Sequence, residues 1–284
     1  MATHALKNPV AIVGMACTKF GEHWSLSVDD ILIEATHGAV DSVPGLELQQ
    51  VDAFWLGAMT SGVSGLTLSR PLGMRHKPVT RVENMCATGS EAFRNACYAV
   101  SSGAYDVVMA VGGEKLKDAG YSGLEMPSVP NDGTPPVLSA PAMYSMIVPA
   151  YARRYGVSEA QVKEAMTHIA WKNHANGALN PRAQFRKATP KETIASAPAL
   201  AGDLSIFDCS GVADGGAAAV IVRAEDALKY TDRPLYVHAL ALDAGSGTGR
   251  NDSDYDYSDL AESRVSAEIA YAQAGITDPA TEVS

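Results

Sequence analysis

Val82-Glu83-Asn84-Met85-Cys86-Ala87-Thr88-Gly89-Ser90 joins an extended segment, Pro78 to Asn84, to a run that reads as a helix from Thr88 to Ser101. Within that run Ala92, Phe93, Ala96, Cys97 and Val100 recur at the spacing of one buried helical face. Thr88, Gly89 and Ser90 are small enough for a tight turn, and either Thr88 or Ser90 is suited to cap its first turn. Cys86 therefore stands at a strand-to-helix junction, where unpaired backbone N–H groups attract negative charge. A thiol so placed has the geometry of an activated nucleophile. A cysteine at such a junction also fits the role of a small buried hydrophobe, and the local pattern leaves both readings open.

Outward from this turn, strands and helices alternate. Pro9 to Ala16 is an apolar run that reads as a buried strand, and Ser27 caps an amphipathic helix through about Val43. Val51 to Gly57 reads as a second strand, Leu66 to Met74 as a helix, and Tyr105 to Val111 as a continuous apolar strand. That alternation predicts an α/β domain with a largely parallel sheet. From Gly120 to Pro141 the chain turns to Gly, Pro, Ser and Asn, the texture of a long functional connection. Helices are expected over Ala142 to Tyr155 and Ser158 to Ala175, the second opened by a capping box, Ser158-Glu159-Ala160-Gln161, and ended near His174. Residues 120–204 then form a helical insertion between strands of one domain. Ala213 to Val222 returns to the sheet through a Gly-rich turn. Leu235 to Asp243 reads as a strand beginning a second domain, Asp252 to Asp259 as an acidic loop, and Leu260 to Ala274 as a helix closed by Gly275.

Composition narrows the partners. The chain's 284 residues suffice for more than one core, and a net charge of −10 argues against nucleic acid. Yet eight of the 22 basic residues lie between Arg153 and Lys191, opposed there only by Glu159 and Glu164. Such a segment suits an anionic ligand, a coenzyme-A phosphate for instance; a solvated helix surface explains any single member equally well. The four cysteines, Cys17, Cys86, Cys97 and Cys209, lack the spacing of a disulfide framework or a zinc site, so no metal is expected. No apolar run reaches the length of a membrane span, and cytoplasmic residence is the expectation.

Asn84-Met85-Cys86-Ala87-Thr88-Gly89-Ser90, followed by Gly112-Gly113-Glu114-Lys115, resembles the nucleophile region of thiolases, most closely the sterol-carrier-protein-2 type. Ile169-Ala170-Trp171-Lys172-Asn173-His174, with Asn180-Pro181 and Gln184-Phe185, resembles that type's loop region. Asp208-Cys209-Ser210-Gly211-Val212-Ala213-Asp214-Gly215-Gly216-Ala217-Ala218 resembles its S-G-x-x-D-G-A-A turn, with Gly216 an extra residue. The resemblance implies the layered αβαβα thiolase fold of two similar halves, the first made of 1–119 and 205–231, a loop domain of 120–204 inserted in it, and the second begun by 232–284. It further implies that Cys86 accepts the acyl group, that Ser210 and Gly211 meet the pantetheine arm, that Met143 and Tyr144 line the acyl pocket, and that His174 lines substrate or supports the loop. The substrate is then an acyl-CoA thioester with coenzyme A as co-substrate, no other cofactor is needed, and the protein pairs at least as a homodimer.

One departure is large. Thiolases carry an H-D-x-F or N-E-A-F strand end, a G-H-P-x-G turn and often a late C-x-G turn, and none occurs here. The chain thus looks like a thiolase lacking about its last quarter; a chain ending at Ser284 is expected to be poorly soluble or tightly partnered. The implied activity is that of an acyl-CoA C-acyltransferase in lipid or sterol side-chain metabolism. Two alternatives stand beside it: a thiolase-fold lyase cleaving a CoA ester by retro-aldol chemistry, and a non-catalytic acyl-CoA-binding or partner subunit.

Overall fold

Val107-Val108-Met109-Ala110-Val111 is apolar at every position, and both of its faces are covered. Val107, Met109 and Val111 pack with the helix that follows the first strand, while Val108 and Ala110 face the helix that follows Cys86. A continuous apolar strand is what a sheet buried on both sides requires. The computed structural model describes residues 6–117, 119, 139–245 and 255–283. In chain order its elements are β1 (Val10–Cys17), α1 (Val28–Asp41), β2 (Ala53–Gly57), α2 (Leu66–Ser69), β3 (Val79–Val82), α3 (Thr88–Ser101) and β4 (Val107–Glu114). There follow α4 (Ala140–Ser145), α5 (Ile147–Tyr155), α6 (Glu159–Leu179), α7 (Lys191–Ala195), β5 (Ala199–Ala201), β6 (Leu204–Ser205), β7 (Gly215–Arg223), β8 (Leu235–Val237), α8 (Ala261–Ala274) and α9 (Pro279–Glu282).

Six strands form one sheet in the order β3-β2-β4-β7-β1-β8. Only β2 pairs in parallel, with β3 and β4; the β4–β7, β7–β1 and β1–β8 pairs are antiparallel. The sheet is therefore mixed, where alternation of strands and helices predicted a largely parallel one. Alternation reports that strands are separated, not which way a strand returning from a long excursion will run. Helix α1 covers one face through Leu32, Ala35, Ala39 and Val40, and α3 covers the other through Ala92, Ala96, Cys97 and Val100.

The described residues fall into two compact units: those within 1–118, 214–243 and 263–284, and those within 119–213 and 244–262. The first holds the six-stranded sheet, the second α4 to α7 and the β5–β6 hairpin. Residues 205–213 group with the helical unit, beyond the 204 limit expected for the insertion, because the turn Ile206–Asp208 packs on α6. The Gly- and Pro-rich connection at 120–138 and residues 252–254 of the acidic loop lie outside the described residues.

Several boundaries differ from those expected, each for a local reason. The Leu66 helix stops at Ser69, just before Pro71 and the left-handed Gly73. The helix expected over Ala142 to Tyr155 is two, broken at Met146, so that Pro149 falls in the first turn of α5 where its missing N–H is harmless. Helix α6 continues past His174 to Leu179, since nothing breaks it until Asn180-Pro181. Only Leu235–Val237 of the strand expected through Asp243 is paired, antiparallel to Val10–Ile12, and it forms the sixth strand of the main sheet. Pro9, which lacks an N–H, lies just beyond one end of the pairing and Pro234 just before the other.

The capping boxes of Ser27 with Asp30 and of Ser158 with Gln161 are formed as expected. Close packing of β1 on α1 depends on Gly14, which follows the register shift in β1. A Cβ there would meet Val43 Cγ2 and come within 2.8 Å of both the Ala39 carbonyl and Ser42 Oγ. Gly14→Ala is expected to destabilise the protein by about 1–3 kcal/mol through overpacking, read from urea unfolding; an unchanged midpoint would show that α1 can retreat.

Candidate active site

The turn that carries Cys86 is built by the end of β3 and the start of α3. Met85–Ala87 forms a short 3-10 turn running directly into α3, and Cys86 is exposed. Met85 adopts φ 47, the left-handed region that a side chain rarely enters without compensation. Its N–H donates to Glu83 Oε1 at 2.5 Å, and the Ala87 N–H donates to the Asn84 carbonyl at 3.0 Å. Neither Thr88 nor Ser90 caps α3: Ala87 occupies the cap position and offers no side-chain acceptor. The Thr88 hydroxyl instead points back into the turn, accepting from the Asn84 N–H at 2.8 Å and donating to the Met85 carbonyl at 2.6 Å. The fold expects a small residue opposite, and Gly57 ends β2 there; a Cβ on it would lie 3.2 Å from both Thr88 Cγ2 and the Thr88 carbonyl.

The turn after β2 is held from both sides. Arg81, on β3, donates to the Ala58 and Met59 carbonyls, each at 3.0 Å. Glu114, ending β4, accepts from the Met59 N–H, the Thr60 and Ser61 N–H groups at 3.2 and 3.1 Å, and both of their hydroxyls. A cation thus takes the carbonyls and an anion takes the amides of one turn at the end of the parallel strands. The next residue reaches further: Lys115 Nζ donates to the His23 carbonyl at 2.7 Å and lies 3.4 Å from Asp214 Oδ2. Asp214 is fully buried and also accepts from the N–H groups of His23, Leu116 and Lys117 at 3.0, 2.7 and 2.9 Å. Burial alone would push its carboxyl up. The Lys117, His23 and Leu116 amides and the Lys115 ammonium outweigh that and hold it below the ordinary carboxylate value.

In the helical unit, the Ser210-Gly211 turn is exposed and is gripped by the segment after α6. Gln184 Nε2 donates to the Val212 carbonyl at 3.0 Å, and a Cβ on Gly211 would lie 2.8 Å from the Phe185 ring. His174 stacks near that same ring, with centroids 6.0 Å apart, and meets Phe207 edge-on at 5.4 Å. On the other side, Asp208 accepts from the Ser205 N–H and hydroxyl, both at 2.7 Å, and from Lys163 Nζ at 2.7 Å. Burial would raise the Asp208 carboxyl, but Lys163 and Ser205 bring it below its usual value. The neighbouring Cys209 thiol is raised by burial and by the Asp208 charge.

His174 and Gly211 therefore both lie against Phe185, and Ser210 adjoins Gly211 in the chain. Met143 and the exposed Tyr144 lie apart on α4. Of the basic residues between Arg153 and Lys191, Lys163 is engaged by Asp208, and Arg154 by Asp259 and Ser258. Sequence reading missed the work of Met85, Thr88, Arg81, Glu114 and Asp214. The Glu-Lys and Asp-Gly pairs were visible signals for the last two; nothing in the sequence marks Met85 as left-handed.

These features define an α/β protein with helices on both faces of a mixed sheet and an exposed cysteine at a strand–helix junction. The chain belongs to the thiolase family: the model of the thiolase N-terminal domain matches residues 10–225. Among its relatives is an acetyl-CoA acetyltransferase of Methanothermobacter thermautotrophicus, 34% identical over 257 residues, covering 84% of this chain and 63% of the relative. Sterol carrier protein 2 of Bos taurus is 28% identical over 252 residues, covering 83% of this chain and 45% of the relative. The chain thus spans less than two thirds of the length of either. The solved structure of the Ltp2-ChsH2(DUF35) aldolase superposes with a TM-score of 0.76 at 23% identity, covering 95% of this chain and 71% of that one, a likeness of fold. No helix among the described residues is long and apolar enough to cross a membrane.

Proposed function

We propose that this chain carries the nucleophile of an acyl-CoA C-acyltransferase of the thiolase type. The observation that carries the reading is Cys86 itself: exposed, at the head of a 14-residue helix, in a turn whose backbone is held in an unfavourable conformation. Strain of this kind persists where surrounding contacts over-determine it, and it gathers at functional sites. In the reaction, the Cys86 thiolate adds to the acyl-CoA carbonyl and the coenzyme-A thiolate leaves, giving an acyl-enzyme thioester. The acyl group then passes to a second coenzyme A or to an acyl-CoA carbanion, freeing the cysteine. Ser210 and Gly211, on their exposed turn, are assigned to the pantetheine arm. Met143 and Tyr144 are assigned to the acyl group, and His174 to support of the Phe185 segment. The acyl group belongs to lipid or sterol side-chain metabolism by analogy with the sterol carrier relative, the protein acts in the cytoplasm, and it works as a homodimer.

A second reading, a lyase cleaving a CoA ester by retro-aldol chemistry, draws on the aldolase whose fold this chain shares. Retained Cys86 favours the first. The test is the intact mass of the protein before and after incubation with acetyl-CoA. An acetyl adduct on the native chain that is absent from Cys86→Ala is the expected result. Failure of the whole protein, with the C-terminal motifs of its relatives present, to take the adduct would transfer the assignment to the aldolase reading.

A further inference from the structure

The nucleophile turn contains a residue whose position helix capping does not explain. Thr88 is 8% exposed, and its side chain makes three directed contacts. Its hydroxyl takes the Asn84 N–H at 2.8 Å and gives its proton to the Met85 carbonyl at 2.6 Å. Its methyl lies over Gly57 at the end of β2, close enough that a Cβ on that glycine would be 3.2 Å away. The two backbone groups it ties are those on either side of the Met85 nitrogen and α-carbon, the residue at φ 47. Left alone, a methionine leaves that region for the ordinary right-handed or extended ones. Cys86 is the next residue, so a change in Met85 swings the thiol away from the start of α3.

We propose that Thr88 is the positioning residue of the nucleophile turn: it locks Met85 in the left-handed conformation and thereby presents Cys86 at the N-terminus of α3. The assignment rests on Cys86 being the reactive group but not on the acyl acceptor. The division of labour within the side chain is explicit. The methyl sets Thr88 against β2, and the hydroxyl, acting as acceptor and donor at once, holds the turn. Serine keeps the second function, and valine keeps only the first.

The test is the rate of alkylation of Cys86 by iodoacetamide in the full chain, followed by peptide mass mapping well below the unfolding midpoint, for native, Thr88→Val and Thr88→Ser. Thr88→Val is expected to slow alkylation roughly tenfold, as the loss of a hydroxyl making two hydrogen bonds implies, and Thr88→Ser to stay within about twofold of native. With acetyl-CoA, Thr88→Val lowers the maximal rate of adduct formation and leaves the half-saturating concentration unchanged, a split that general loosening of the fold does not produce. Should the valine variant fail to fold, Thr88→Ala carries the same comparison against serine. An unchanged or faster rate in the hydroxyl-free variant overturns the proposal, as does a serine variant as slow as valine. If the three proteins are alkylated in the expected order but the whole protein, C-terminal motifs included, takes no acetyl group, the acyltransferase reading falls and the assignment of Thr88 stands.

Discussion

Asp214→Ala is expected to remove about 3–5 kcal/mol of stability, a large share of the roughly 5–15 kcal/mol that keeps a domain folded. Asp214 is fully buried and joins segments that are far apart in sequence: the His23 loop, the turn after β4 and the start of β7. Alanine would leave the amides of His23, Leu116 and Lys117 without their acceptor and would take from Lys115, whose side chain is 8% exposed, its carboxylate partner. Each orphaned buried group carries its own desolvation cost. The pH dependence has a definite sign. The folded carboxyl sits below its ordinary value, since the surrounding amides and ammonium outweigh burial. A carboxylate lowered in the folded state contributes stability that is full above the unfolded value of about 3.9 and is lost as pH falls through the folded one. Urea midpoints of native and Asp214→Ala protein should therefore differ by a constant amount from neutral pH down to the unfolded value, and the difference should shrink below it as pH falls through the folded one. A difference that persists undiminished at the acid end would assign the loss to packing rather than charge.

Thiol chemistry offers a second large contrast within one helix and its approach. Cys97 is fully buried on the inner face of α3, and burial pushes its thiol up to about 12. At pH 8 only about one molecule in ten thousand then carries the reactive thiolate, before access is considered. Cys86, eleven positions earlier, is exposed. Native protein treated with iodoacetamide should be modified at Cys86 at least about a thousandfold faster than at Cys97, and the difference should collapse on unfolding in urea. Comparable labelling of Cys97 under native conditions would mean that α3 opens from the sheet far more often than its packing allows.

The family and the place of Cys86 at a strand–helix junction were legible because their signals are local. Helix α3 was readable from apolar spacing. Ser27 and Ser158 were readable as caps because a capping box is complete within four residues. Cys86 was readable as a junction residue because small residues follow it. Proline placed the ends of α2 and α6 and the start of β8, a signal the sequence carries by itself. The motif segments around Cys86, Trp171 and Ser210 were enough to identify the family, since motif identity needs no knowledge of contacts.

What the chain alone did not disclose depends on residues brought together across long separations. The sheet is mixed because β7 returns antiparallel beside β4 and β1, a choice made by packing of the whole layer. Thr88 reads as a cap and acts as a staple, because the turn before it folds back and Gly57 leaves room behind. Asp214 finds His23 across 191 positions. By itself, then, the sequence determined the elements, the family and a cysteine at the head of a helix, all fixed by interactions within a few residues. Tertiary structure alone decided strand direction, the seating of Thr88 against Gly57 and the buried carboxylate. The energies that hold those features come from close approach and desolvation, which exist only once distant segments meet.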